Sequence, residues 1–126
     1  MTFRLLADAV VLLHVAYILF VVFGAVLVRY RPILLWPHLA AALWGAYVAA
    51  MARVCPLTPL EMALRTRGGE TGYHGGFVEH YVLPALYPGG LTRGILVAEA
   101  AFVVAVNLVL YAWVWRVRGR ERGDAR

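Results

Sequence analysis

"LLADAVVLLHVAYILFVVFGAVLV", residues 5–28, is a continuous apolar run broken by Asp8 and His14. At ~1.5 Å per residue, a helix of that length reaches ~36 Å, enough to cross the hydrocarbon core of a bilayer. A cleaved leader fits it poorly. The apolar stretch is too long, Asp8 breaks it, no A-x-A-like site follows, and Arg29 and Arg31 come next as a stop-transfer signal. The run is expected to remain as a first membrane span.

The rest of the chain agrees. Of 126 residues, 63% are hydrophobic, and the mean hydropathy is +0.73. A soluble domain of this size needs more charge to cover its surface. Residues 33–54 form a second run and 91–115 a third, which carries Glu99 and Asn107. "YRP" makes a tight turn between the first two, with Pro32 and Pro37 near a helix start, where proline is tolerated. The segment 77–90, "FVEHYVLPALYPGG", is too short and polar for a fourth crossing and is expected to be interfacial or re-entrant. The predicted fold is an all-α polytopic integral membrane bundle of three transmembrane helices. One domain covers 1–115, with short interfacial helices in the 55–90 loop, and a basic tail covers 116–126.

Arginine placement predicts the orientation. The basic residues are twelve Arg and no Lys. The 29–32 turn holds two and the tail holds five, and three spans put these on one side. Arg-rich ends belong inside, so the N-terminus and the 55–90 loop are expected outside and the tail in the cytoplasm. The tail is expected to act as a topology signal that touches lipid, with no nucleic-acid partner.

The second span contains two stripes of small residues, Ala41/Gly45/Ala49 and Ala42/Ala46/Ala50. Such stripes let backbones approach closely in lipid and suit a middle helix with a neighbour on each side. A bundle this thin is also expected to form a homo-oligomer or to dock on a larger membrane complex.

After the second span comes "RVCPLTPLEMALR", residues 53–65. Its T-P-L-E predicts a capping box, with Thr58 at the N-cap, Pro59 at N1 and Glu61 at N3. Glu61 also meets Arg65 at i+4, and Leu60, Ala63 and Leu64 form an apolar stripe. A short surface helix ending at Gly68 is expected. Cys55 is the only cysteine, so no internal disulfide exists. The glycine-rich "GGETGYHGG" that follows, with His74, lacks the strand-to-helix setting of a phosphate loop.

Ionisable groups within a span are costly and generally face protein. Counted from the outer face by helix rise, Asp8 lies at ~5 Å, Glu99 at ~12 Å, His14 at ~14 Å and His38 at ~24 Å. Asp8, His14, Arg53, Cys55, Glu99 and His80 therefore form a candidate polar site in the outer half. His38 and Asn107 form a separate inner hydrogen-bonded pair. His14, His80 and Glu99 are of the types that hold a metal ion, and His14 with His80 suits a haem if the 77–90 segment dips inward. No HxxH, ExxH or CxxC spacing accompanies them.

The stretches "LADAVVLLHVAYILFVVFG", "WPHLAAALWG", "CPLTPLEMALR", "GYHGGFVEHYVLPALYP" and "LTRG" together resemble the small bacterial membrane proteins grouped as domain of unknown function 2784. The resemblance implies a helical inner-membrane protein and brings no catalytic residue with it. Two functions compete. One is an accessory or binding protein of an inner-membrane complex or of lipid. The other is a metal- or haem-linked redox protein or membrane enzyme working through the outer polar site.

Overall fold

The computed structural model of the chain describes residues 1–72, 80–81 and 92–126. Among the described residues four α-helices follow one another: α1 (Thr2–Tyr30), α2 (Leu35–Ala50), α3 (Leu57–Arg67) and α4 (Arg93–Asp124), with a 3-10 turn at Pro32–Leu34 before α2. Among the described residues there is no strand. Thr2–Tyr30, Pro32–Ala50 and Arg93–Asp124 are each long and apolar enough to cross a membrane. The architecture is thus an all-α bundle with three membrane-spanning helices, α1 and α4 running parallel and α2 antiparallel to both. The short helix expected after the second span is present as α3, and it packs along the first half of α1.

Both small-residue stripes of α2 are used. On one side, Val21 and the Tyr17 ring of α1 lie over Gly45, and Tyr17 Oη donates to Ala41 O at 2.8 Å. On the other, Ala42 and Ala46 share a groove with Val103, Val104 and Leu108 of α4. Residues with little or no side chain bring the neighbouring helices close, and this packing substitutes in lipid for the hydrophobic effect.

The second span ends earlier than expected, at Ala50 rather than residue 54. Ala52 adopts φ +52°, Arg53 N–H bonds Val48 O at 2.9 Å, and Ala52 N–H bonds Ala49 O at 3.1 Å. This is a Schellman ending with alanine in the position that glycine normally fills. Ala52→Gly is therefore expected to raise stability by up to ~1 kcal/mol, because it removes the left-handed strain of a side chain. Thermal unfolding in detergent checks this, and a lowered midpoint would contradict it. α3 ends in the same motif with the usual residue: Gly69 has φ +78°, Glu70 N–H bonds Arg65 O at 2.9 Å and Gly69 N–H bonds Thr66 O at 3.1 Å.

The third span begins as "LTRG" suggests, with Thr92 Oγ1 accepting from Ile95 N–H. It does not stop at residue 115. The basic tail continues the helix to Asp124, and Arg118 explains part of this. Its Nη2 donates to Val28 O at 2.8 Å and to Arg29 O at 2.9 Å, satisfying carbonyls that the end of α1 leaves open. Arg29 in turn pairs with Glu121 at 2.8 Å and lies 5.5 Å from the centre of the Trp113 ring. The tail arginines are thus partly structural.

Candidate functional site

The six residues expected to share one polar site divide between two neighbouring places at the α3 end of the bundle. The first is the seam between α1 and α3. Thr58, Glu61 and Arg65 fall at i, i+3 and i+7 and so lie on one helix face. Thr58 and Glu61 are fully buried, while Leu60 is 50% exposed and Ala63 is exposed as well. α3 is amphipathic with its polar stripe turned inward, the reverse of a helix resting on a water-facing surface.

The capping role expected for Thr58 and Glu61 is not what these residues do. The helix starts one residue earlier, at Leu57, with Pro56 at the N-cap and no side-chain cap bond. Thr58 is therefore already inside the helix, and its hydroxyl points into the seam, where Oγ1 has no hydrogen-bond partner among the described residues. Glu61 Oε1 accepts from Arg65 Nε at 2.8 Å and from Tyr81 Oη at 2.9 Å. The i+4 pairing of Glu61 and Arg65 is as expected, but it is buried rather than solvated.

Arg65 gathers the seam. Its Nη1 donates to Glu70 Oε2 at 2.9 Å, its Nη2 donates to Tyr81 Oη at 3.2 Å, and Asp8 Oδ1 lies 3.5 Å from Nη2. Glu61, held by a direct hydrogen bond, pushes the guanidinium pKa above its ordinary value, so Arg65 stays charged. Burial raises the Tyr81 phenol, and the bond to Glu61 adds to that. His14 is buried, 4% exposed, within the electrostatic reach of Glu61. Arg4 extends the seam by donating to Gly68 O at 3.1 Å and approaching Glu70 at 3.5 Å.

The second place is a groove between α1, α2 and α4. Val21, Val22, Val48, Leu96 and Val103 give it apolar walls, and Tyr17, Arg53, Cys55 and Glu99 supply its polar lining. It is partly open to the surroundings and has a cavity volume of about 110 Å³, room for part of a ligand rather than for a whole enclosed one. The Arg53 guanidinium stands 5.8 Å from the centre of the Tyr47 ring.

These placements bear on the metal expectation. His14 turns to α3, Glu99 lines the groove shared with α2, and His80 is exposed with its ring edge-on to Tyr81 at 4.6 Å. Among the described residues, no three of His, Cys, Asp and Glu come together as a metal would require. The trio His14, His80 and Glu99 is not assembled, because its members belong to different surroundings. His74, and the 77–90 segment apart from His80 and Tyr81, lie outside the described residues.

Deeper in the bundle, His38 and Asn107 meet through a shared acceptor rather than each other. His38 Nε2 lies 3.3 Å from Val21 O, and Asn107 Nδ2 donates to the same oxygen at 2.9 Å and to Val103 O at 2.8 Å. A carbonyl can only accept, so Nε2 carries a proton, and in the neutral ring Nδ1 then accepts from Tyr111 Oη at 2.6 Å. One backbone oxygen of α1 thus joins all three spans. Gly24 makes this approach feasible, since a Cβ there would fall 2.7 Å from His38 Nε2.

The sequence reading did not single out Tyr17, Gly24, Glu70 or Tyr111. A glycine amid large residues at Gly24, and phenols within apolar runs at Tyr17 and Tyr111, were the available signals.

The model of the family described as "Protein of Unknown function (DUF2784)" matches residues 4–112. Neither the curated proteins nor the solved structures provide a match.

Proposed function

The chain belongs to this family of unknown function, and we propose that it is a binding protein of the bacterial inner membrane that holds an amphiphile between its three spans. The observation that carries this reading is the groove, with apolar walls and with Arg53 and Glu99 in its polar lining. Apolar walls with a few placed polar groups are the usual form of a ligand site, and a mixed lining of this kind suits a molecule with a tail and a head. The inward-facing polar stripe of α3 supports the same reading, because it leaves apolar side chains to face hydrocarbon near the groove.

Val48→Trp tests it by filling the groove with an indole. Protein purified in mild detergent is analysed by native mass spectrometry and lipid extraction. The unsubstituted protein is expected to retain a bound amphiphile and the variant to lose it while keeping its helical circular dichroism. Equal retention by both would remove the groove as the binding site.

The proposed orientation puts α3 outside and the Arg118 end in the cytoplasm, as the arginine distribution favours. In a Cys55→Ala background, Thr71→Cys is expected to react with an impermeant thiol reagent applied to intact cells, and Gly119→Cys only after lysis. The reverse pattern, or labelling of both from one side, would overturn it.

A further inference from the structure

We infer that the amphiphile is a phospholipid whose phosphodiester sits on Arg53, an assignment that rests on the groove reading above. Arg53 is exposed and, among the described residues, its side chain makes no hydrogen bond and no ion pair. It is nevertheless held in place. Its own N–H is bound to Val48 O, directly after the left-handed turn at Ala52, and its guanidinium lies near the Tyr47 ring. A guanidinium beside an aromatic ring keeps its N–H edge for an oxyanion, and its fork matches two phosphate oxygens at once.

Glu99 shares the groove's lining. From Leu96 to Val103 on α4 the wall continues for seven residues, ~10 Å of helix rise, and it is apolar apart from Glu99. That length accommodates part of an acyl chain. Arg53 itself lies just beyond the end of α2, at the level where a spanning helix meets lipid headgroups.

The experiment uses the full chain, delipidated in detergent, with thermal unfolding as the readout. It is titrated with a short-chain phosphatidylcholine, with diacylglycerol of the same chains, and with inorganic phosphate. The phospholipid is expected to raise the midpoint saturably, with diacylglycerol and phosphate each about tenfold weaker or worse, as loss of one charged hydrogen-bonded contact implies. Arg53→Gln should bring phospholipid affinity down to the diacylglycerol level. Val48→Trp should abolish the effect of both lipids.

Equal affinity for phospholipid and diacylglycerol, or an unchanged Arg53→Gln, would overturn the phosphodiester assignment and leave the groove standing. A shift by inorganic phosphate alone, insensitive to Val48→Trp, would make the ligand a free anion and overturn the lipid. Phospholipid binding unaffected by Val48→Trp, or no shift with any additive, would remove the groove reading along with it.

Discussion

Gly24→Ala is expected to lower stability by about 3 kcal/mol, although it adds a single methyl group. A Cβ at this position falls within the imidazole of His38. That ring has no room to retreat, because it is fully buried, bonded to Tyr111 Oη and near Val21 O, and packed edge-on against Phe20 at 5.2 Å. Overpacking typically costs about 1–3 kcal/mol, and each interhelical hydrogen bond lost within a membrane adds roughly 0.6–1.7 kcal/mol. The decisive measurement is a double-mutant cycle by unfolding in mixed micelles. In a His38→Ala background, the same Gly24→Ala change should cost less than about 1 kcal/mol, because the obstructing ring is gone. Equal costs in both backgrounds would mean that Gly24 serves some other purpose.

Arg65→Ala is expected to be comparably severe, at about 3 kcal/mol or more. It removes one guanidinium from Glu61, Glu70 and Asp8 together and leaves the carboxylate of Glu61 fully buried. Removing one partner of a buried pair typically costs about 3–5 kcal/mol, chiefly because the other charge stays behind. Adding Glu61→Leu to Arg65→Ala should therefore restore much of the loss, whereas two independent residues would give additive damage. Hydrogen exchange locates the effect. Amides of α3 should lose protection in Arg65→Ala while those around Val21 keep theirs. Uniform loss of protection would show that the seam is not a separable unit.

The spans were legible because hydrocarbon thickness imposes a length and a composition that no local detail overrides. The two small stripes of α2 were legible for a related reason: side-chain size is written in the sequence, and helical spacing tells which residues share a face. What failed was local punctuation. T-P-L-E at 58–61 satisfies the pattern of a capping box, yet the same spacing also puts Thr58 and Glu61 on the face that α1 covers, and tertiary burial decided between them. The end of α2 was missed because Ala52 occupies a position where glycine is the usual signal. The candidate polar site was grouped by depth alone. Depth carries no angular information about which neighbour each side chain meets. Hence it could not separate the seam from the groove, nor anticipate that His38 and Asn107 would converge on a backbone oxygen instead of bonding each other.

α3 lies beside α1 near one end of the bundle, and the described residues have no equivalent of it near the other, where α4 continues as a single helix. Among the described residues, four helices therefore lie side by side at the α3 end and three at the opposite end. A bundle broader at one end is expected to press unequally on the two leaflets of a bilayer, so its insertion should be easier where the membrane already bends toward the broader side.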